Sequence, residues 1–342
     1  MSEQTAWNSL VGHRWAVDLL AGAIRNERVG HAYLITGPEQ IGKTTLARLF
    51  AQALNCTAPD PAQRPCGGCR SCTLIAADRH PDVRLLEPAV SGRGKRTLKI
   101  DEIRELQQDL NLAAYEARWK VAIITHFDAA TQGAANAFLK TLEEPPGQVV
   151  LLLTASEADA LLPTITSRCR VIALRPLATE EMAQALAERW QVSADQARRL
   201  AHLADGRLGW AVEAINEPAL LETREEYLEL LRQALDGRRV ERFALADRLA
   251  RDSETLPDVL RVWSSWWRDL TLHAYGNDNV VNVDRRDELA RLAEEWPADA
   301  VVRVLKGTKE ALWQLEHNAN ARLVMENLLL LYPYRVRPAV AG

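Results

Sequence analysis

The sequence lacks the features that mark a membrane-spanning or secreted protein. No apolar run is long enough to cross a bilayer, and residues 1–5 are polar, without a signal-peptide pattern. Cysteine is scarce, with five residues in 342. In a cytoplasmic chain so few cysteines favour a metal site or free thiols over disulfides. We therefore expect a cytoplasmic protein that makes no membrane contact.

An excess of basic charge is also absent. Lys and Arg number 42 against 46 Asp and Glu, which gives a formal net charge of −4. Contact with nucleic acid would therefore need a local patch rather than the field of the whole protein. The basic stretch Ser91–Arg96 is predicted to be a solvated loop, with nucleic-acid contact as the alternative.

The first half of the chain alternates between helical stretches and apolar runs. Near-continuous apolar runs are typical of buried parallel strands with helices on both faces. The runs are 32–36, 82–86, 120–125, 149–153 and 171–174. This pattern predicts a doubly wound α/β P-loop domain over residues 1–175.

Beyond Pro176 the pattern becomes helical throughout. We predict a small helical lid domain over 176–215 and an all-α collar, or oligomerisation, domain over 216–342. In the collar region Trp263, Trp266 and Trp267 share one helix face, because they are spaced at i, i+3 and i+4. That stripe is either part of a core or an assembly interface.

One motif lies in the strand–loop–helix context that its chemistry requires. Gly37–Thr44 reads G-x-x-x-x-G-K-T and follows the apolar run 32–36. Its glycines let backbone N–H groups converge on an anion at a helix N-terminus. Lys43 would reach the outer phosphates of ATP, and the Thr44 hydroxyl would ligate Mg²⁺. A glycine-rich turn that matches by chance is the alternative.

The carboxylates of a working ATPase are missing from the strand end where we expect them. Such an enzyme holds Mg²⁺ with an acidic residue there and often adds a neighbouring carboxylate as base. Here the strand-like run ends in Thr125 and His126, and Asp128 comes three residues late, so it could help only if the strand end bulged. The sequence thus predicts phosphate binding without the groups that hydrolysis needs.

Four of the cysteines are closely spaced. Cys56, Cys66, Cys69 and Cys72 form C-x₉-C-x₂-C-x₂-C, a spacing that suits tetrahedral coordination of Zn²⁺ by thiolates. Four protein ligands leave no open position, so the zinc would be structural. Unmetallated thiols are the alternative. The fifth, Cys169, is flanked by apolar runs and is predicted to be a buried core thiol.

Arg168 is the remaining candidate from chemistry alone. It stands in the triplet Ser167-Arg168-Cys169. A lone arginine there is a surface residue, a charge partner of a helix end, or an arginine finger that stabilises phosphate charge across a subunit boundary.

Four segments together resemble the clamp-loader subunits of the AAA+ class, and more narrowly the delta-prime type of bacterial DNA polymerase III. They are Gly30–Tyr33, the four-cysteine module at 56–72, Asn136–Pro146 and Ser167–Cys169. The resemblance covers residues 7–175. It implies an AAA+ domain with an inserted zinc module, followed by a lid and a collar.

The resemblance also implies roles for individual residues. Val11 and Gly12 fall where the family contacts adenine. The phosphate-loop positions fall on Gly37, Gly42, Lys43 and Thr44. Arg168 falls on the arginine finger, which this family points into the ATP site of a neighbouring motor subunit. The zinc ligands fall on Cys56, Cys66, Cys69 and Cys72.

Several departures separate this sequence from the motor subunits. The Mg²⁺-binding aspartate and the catalytic glutamate of the family fall on Thr125 and His126. The sensor arginine of the lid falls on or near Gly209, and Arg207 is two residues early. The polar sensor of the AAA+ domain is ambiguous among residues 154–156. Delta-prime subunits lose several of these groups, so the departures favour that type.

We therefore expect a non-motor clamp-loader subunit. Its implied partners are the tau/gamma motor subunits and the delta subunit in a pentameric ring, the sliding clamp, and primer–template DNA contacted through the complex. An active AAA+ motor ATPase subunit is the alternative. A third hypothesis is a zinc-bearing DNA-binding module whose P-loop is vestigial.

Overall fold

The computed structural model describes residues 5–90, 96–317 and 319–334. Apart from Arg96, the basic stretch predicted as a loop lies outside these residues. The chain divides into two compact units. The P-loop unit holds the described residues of Met1–Ser91 and Arg96–Arg189 together with Gly206–Trp210. The helical unit holds the described residues of Trp190–Asp205 and Ala211–Gly342.

The P-loop unit contains seven strands among its described residues: β1 (Ala32–Thr36), β2 (Val83–Leu86), β3 (Ala89–Val90), β4 (Arg96–Thr97), β5 (Lys120–Ile124), β6 (Val149–Ala155) and β7 (Arg170–Ala173). Five of them form a parallel sheet in the order β2-β5-β6-β1-β7. The other two, β3 and β4, pair with each other as a separate antiparallel hairpin. All five apolar runs identified in the sequence are strands of this sheet, and the fold is the predicted α/β P-loop class.

Helices cover both faces of the sheet, and its central strands are therefore buried on both sides. Every residue of β1, β5 and β6 is buried. Alternate residues of β1 enter different cores: Tyr33 and Ile35 lie in one, and Ala32 and Leu34 in the other. The helices of this unit are α1 (Arg14–Arg25), α2 (Lys43–Asn55), α3 (Arg70–Ala76), α4 (Ile100–Leu110), α5 (Gln132–Glu143), α6 (Pro163–Thr166) and α7 (Thr179–Trp190), the last residue of which falls in the helical unit.

The sheet topology brings the chemistry-bearing loops to one edge. Strands β1, β5 and β6 are parallel neighbours, with β6 between the other two. Their carboxyl ends therefore meet at the same edge of the sheet, which is where open α/β sheets bind ligands. The P-loop follows β1, Thr125 follows β5, and Ser156 follows β6.

The helical unit contains no strand among its described residues. Its helices are α8 (Ala194–Ala204), α10 (Ala219–Asp236), α11 (Arg239–Arg251), α12 (Leu256–Ala274), α13 (Arg286–Glu295), α14 (Ala298–Glu316) and α15 (Ala321–Leu331), and α9 (Leu208–Asn216) crosses the division between the units. The stripe formed by Trp263, Trp266 and Trp267 is at most 2% exposed. It packs with Trp296 and Tyr332, so the stripe belongs to a core.

Within the described part of the chain, no helix combines the length and the apolar character that a membrane crossing requires.

Candidate functional site

Glycines shape the P-loop between β1 and α2. Gly37 has φ +142° and Gly42 has φ +108°, both in the left-handed region. A Cβ at Gly37 would lie 2.7 Å from the carbonyl oxygen of Leu174, so only glycine fits there. Helix α2 begins directly after Gly42. The loop therefore has the backbone form that a phosphate cradle needs.

Lys43 is folded back onto its own loop. Its Nζ donates to the carbonyl oxygens of Gly37 at 2.6 Å and Pro38 at 2.8 Å. The side chain is buried, and burial lowers the pKa of the Lys43 ammonium. Thr44, next on α2, is half-buried. The two residues lie where the motif predicts, and the ammonium would have to exchange carbonyl partners for phosphate oxygens.

The end of β5 presents two groups that are neutral at pH 7. Thr125 is buried, and its N–H donates to the carbonyl oxygen of Leu86 at 2.9 Å. His126 is in the left-handed region, with φ +47°, and its N–H donates to Thr154 Oγ1 at 3.0 Å. Burial, helped by the charge of Arg96, lowers the pKa of the His126 imidazole. Neither group can hold Mg²⁺ as a carboxylate does.

Asp128 is a carboxylate close to the end of β5, and it accepts hydrogen bonds from the loop after β6. Its Oδ2 accepts from the N–H of Ser156 at 2.9 Å and from the Ser156 hydroxyl at 2.5 Å. The carbonyl of Ser156 in turn accepts from Gly37 N–H at 3.0 Å. The charge of Glu39 and, less strongly, that of Asp128 act to raise the pKa of Lys43, although burial outweighs them. Because Thr154 bonds to His126 and Ser156 to Asp128, both remain candidates for the polar sensor.

The loop prediction for Ser91–Arg96 is wrong for Arg96, which is in β4 beside the P-loop. One of its guanidinium nitrogens, Nη1, lies 2.6 Å from Glu39 Oε1 and 3.3 Å from His126 Nδ1. The sequence predicted neither Glu39 nor Arg96 as a site residue. The hairpin that positions Arg96 has two residues per strand, too few for periodicity to reveal.

Gly209 docks directly onto the P-loop. Its N–H donates to the carbonyl oxygen of Gln40 at 2.8 Å, and a Cβ there would lie 2.8 Å from that same oxygen. The resemblance found in the sequence predicts that the sensor arginine of motor subunits falls at or near this position. With a glycine there, no side chain reaches toward a phosphate from position 209, and the loop carbonyl occupies the space.

The segment that resembles the adenine-binding region lies against the P-loop. Val11 is buried, and Gly12, with φ +68°, packs on Leu177, whose Cδ2 a Cβ at Gly12 would meet at 2.2 Å. His13 Nε2 lies 3.1 Å from the carbonyl oxygen of Ile41, and burial lowers the pKa of its imidazole. The structure thus brings Val11 and Gly12 together with the phosphate-loop residues; their contact with adenine stays a prediction.

The four predicted metal ligands come together. The sulfur atoms of Cys56, Cys66, Cys69 and Cys72 all lie within 4.8 Å of one another. Tetrahedral zinc with Zn–S bonds of about 2.3 Å would place its sulfurs about 3.8 Å apart, so the cluster fits the ion. Cys56 and Cys72 are fully buried.

Backbone N–H groups support these sulfurs in the way that metal thiolates require. Those of Ala58 and Cys66 donate to Cys56 Sγ, and that of Cys69 donates to Cys66 Sγ, each at 3.4 Å. Burial alone would raise the pKa of the Cys69 thiol, but hydrogen bonds involving Thr57 and Cys72 lower it to about 6. The residues present could therefore hold a metal ion.

Arg168 lies in the turn two residues after the end of helix α6, and it is partly exposed. Its Nη2 is 2.7 Å from Glu143 Oε1, and its Nη1 donates to the carbonyl oxygen of Thr164 at 2.8 Å. Neighbouring Cys169 is half-buried, and burial raises the pKa of its thiol to about 12. Cys169 therefore stays a neutral thiol and packs against a core, but it is half-buried, so the prediction of a buried core thiol is met only in part.

Comparison with known proteins gives matches along most of the chain. The delta-prime subunit of DNA polymerase III from Bacillus subtilis is 28% identical over 317 residues, 92% of this chain and 94% of that protein. A family described as DNA polymerase III, delta subunit, matches residues 12–178, and its C-terminal counterpart matches residues 218–332. This chain belongs to the DNA polymerase III delta-prime family.

Other relatives show how close the delta-prime family is to the tau subunits. The delta-prime subunit of Pseudomonas aeruginosa is 42% identical over 139 residues, 41% of each chain. The tau subunit of Bacillus subtilis is 27% identical over 344 residues, 94% of this chain and 60% of its own length. Overall sequence identity therefore does not distinguish delta-prime from tau subunits, and the distinction depends on the residues around the P-loop.

A gamma-subunit-related protein of Thermotoga maritima has a solved structure that aligns with 94% of this chain and 98% of its own, at 19% identity and a TM-score of 0.46. The fold assignment does not depend on it. The parallel sheet, the P-loop after β1 and the C-terminal helices make this an α/β P-loop domain followed by helical domains.

Proposed function

We propose that this chain is a non-motor subunit of the replicative DNA polymerase III clamp loader. The observation that carries the proposal is the end of β5, where a hydroxyl and a neutral imidazole, those of Thr125 and His126, stand in place of two carboxylates. The P-loop beside them keeps its backbone form. Such a chain can bind phosphates, but it lacks the groups that hold Mg²⁺ and activate water.

Arg168 is the residue we assign to catalysis, and it acts in trans. A guanidinium can donate several hydrogen bonds to phosphate oxygens and keeps its charge at any pH the cell reaches. In the assembled loader it would complete the ATP site of a neighbouring motor subunit and stabilise the charge that develops on the γ-phosphate. Its partial exposure at the surface of the P-loop unit is consistent with that role.

The partners follow from this role. The chain would join tau/gamma motor subunits and the delta subunit in a pentameric ring in the cytoplasm. Residues 216–342 would act as the collar and 176–215 as the lid. The complex would use ATP to open the sliding clamp and place it on primer–template DNA.

The cofactors are divided between two sites. The four-cysteine cluster would hold structural Zn²⁺, which would tie the end of α2 to the N-terminus of α3. Val11, Gly12, Gly37, Gly42, Lys43 and Thr44 would form the nucleotide site. There the chain would bind ATP with Mg²⁺ without turning it over.

Replacing Arg168 in the reconstituted loader tests the proposal. Arg168→Ala should lower ATP turnover at the site it completes by about 10³ or more, as loss of an arginine finger does. Assembly, followed by size-exclusion chromatography and native mass spectrometry, should be unchanged. Arg175→Ala, at an exposed arginine that follows the other end of β7, is the control. Full turnover in the Arg168→Ala complex would exclude the finger assignment.

An active motor ATPase is the second candidate, and Asp128 is the observation that favours it. This carboxylate acts on Lys43 through space and is bonded to the loop after β6. ATP turnover by the isolated chain that is abolished in both Lys43→Ala and Asp128→Asn would establish it. Nucleotide binding without turnover is the result we expect.

A further inference from the structure

Arg168 has a fixed partner within its own chain. Its Nη2 lies 2.7 Å from Glu143 Oε1, across 25 residues of sequence. On the other side of the guanidinium, Nη1 donates to the carbonyl oxygen of Thr164 at 2.8 Å and lies 3.4 Å from the Ser167 hydroxyl. The guanidinium is therefore held at both terminal nitrogens.

Local helix energetics do not account for Glu143. It is the last residue of α5, where the unpaired carbonyls and the helix dipole make a negative charge unfavourable. Lys140, one turn earlier, is the residue type that a helix C-terminus prefers. A carboxylate at Glu143 opposes the stability of its own helix unless a cation compensates it, and Arg168 is that cation.

The stability of the folded unit does not account for the pair either. The side chains of Arg168 and Glu143 are 35% and 50% exposed. Ion pairs this exposed contribute little to stability, because water and salt screen them. The contact with Glu143 instead restricts the long, flexible side chain of Arg168 to one orientation.

The held guanidinium still has donors to offer. Arginine carries five N–H groups, and Nε has no hydrogen-bond partner among the described residues. An anion that approaches from outside can therefore bond to Arg168 while Glu143 and Thr164 keep their bonds. A side chain already ordered in this way loses less freedom when it engages a ligand.

We propose that Glu143 is a positioning residue for Arg168, holding its guanidinium in the direction in which it meets the phosphates of a neighbouring subunit's ATP. This inference rests on the proposed function. Glu143 acts through Arg168 and itself touches no nucleotide. An amide at this position keeps an oxygen acceptor for Nη2, whereas a methyl group does not.

Four variants of this chain, each assembled with its motor and delta subunits, test the inference by steady-state ATPase measurement. Glu143→Ala should lower kcat at the ATP site that Arg168 completes about tenfold and leave the KM for ATP at that site unchanged, since a misplaced group weakens the transition state more than ground-state binding. Glu143→Gln should restore kcat to within about threefold of the parent. Glu143→Ala combined with Arg168→Ala should equal Arg168→Ala alone.

Glu144→Gln is the matched control. It changes the adjacent carboxylate, which is also exposed and whose side chain has no hydrogen bond or ion pair to the described residues. Its kcat should match the parent, and native mass spectrometry should show full assembly for every variant.

The possible results distinguish a failure of this inference from a failure of the proposed function. If Arg168→Ala lowers kcat but Glu143→Ala does not, or raises it, Glu143 does not position the finger. A double variant that loses more than Arg168→Ala alone shows that Glu143 acts by another route and also overturns the inference. If Arg168→Ala itself keeps full turnover, the proposed function fails, and the inference fails with it.

Discussion

The two units each bury a cation on backbone carbonyls, but they do so differently. In the helical unit Arg242 is 2% exposed, and its nitrogens donate to carbonyl oxygens near the end of α10 and the end of α15, with Tyr334 stacked 4.1 Å from the guanidinium. In the P-loop unit Lys43 is 7% exposed and donates to two carbonyls of its own loop, five and six residues away.

The difference lies in where the partners come from. Arg242 joins segments as far apart as Ala234 and Pro333, so releasing its bonds would separate helices. Releasing the bonds of Lys43 would only reshape one loop, so a phosphate can replace them at little cost. Burial of a charge does not by itself mark a functional site. Because the carbonyl partners of Lys43 lie within its own loop, their exchange for phosphate oxygens is compatible with the nucleotide site we propose.

Removing the cysteine cluster should have the largest effect, and it should fall on the P-loop unit. We expect Cys66→Ser/Cys69→Ser to lose bound zinc and to lower the free energy of unfolding by about 5 kcal/mol or more, since a structural zinc site supplies folding energy directly. Metal analysis and urea unfolding measure the two quantities, and hydrogen exchange with mass spectrometry locates the unit affected.

Cys169→Ser is the control for that experiment, because it removes a thiol of the same unit that lies outside the cluster. Purified parent protein with no zinc, or a double variant as stable as the parent, would show that the four thiols are free and that the fold does not need the ion.

Replacing Arg242 should give the next largest effect, confined to the helical unit. Arg242→Met keeps the length of the side chain but leaves several buried carbonyls without donors, which should cost about 3 kcal/mol. Arg251→Met, on the same helix but 79% exposed at the side chain, should change stability by less than about 0.5 kcal/mol. Equal urea midpoints for the two variants would mean that Arg242 is not the clamp we describe.

Acid should have the smallest effect, on the P-loop unit. Burial lowers the pKa values of His13, His80 and His126 below the usual 6.5. At pH values between the lowered pKa values and 6.5, the unfolded chain binds more protons than the folded chain. The free energy of unfolding therefore rises with pH through that window, and above it the contribution of the three imidazoles is fully present. Moving from about pH 7.5 to about pH 5.5 should lower Tm by a few degrees.

The variant His126→Gln should reduce that pH dependence, because it removes one of the three groups. Hydrogen exchange at both pH values should place the loss of protection in the P-loop unit. A Tm that is constant over this range, or that rises on acidification, would contradict the assignment of these imidazoles as neutral in the folded protein.

Much of the P-loop unit could be predicted because its signals are local. Each apolar run became a strand, with ends within one or two residues of prediction, and the helix after the P-loop began at the motif itself. The four cysteines could be grouped because their spacing keeps them within 17 consecutive residues, 56–72. The hairpin of β3 and β4 and the short helices α3 and α6 were not predicted, since none of them is long enough to show a clear period.

The site divides in the same way. The sequence alone determined that the P-loop motif is complete, and it predicted that Thr125 and His126 stand where carboxylates are needed, because a motif and a strand end are read from adjacent residues. Only the tertiary structure set Arg96 against Glu39, 57 residues away, and Arg168 against Glu143, 25 residues away. Such ion pairs are too weak to determine the strands and helices that bring them together. The periodic pattern of the sequence therefore does not predict them.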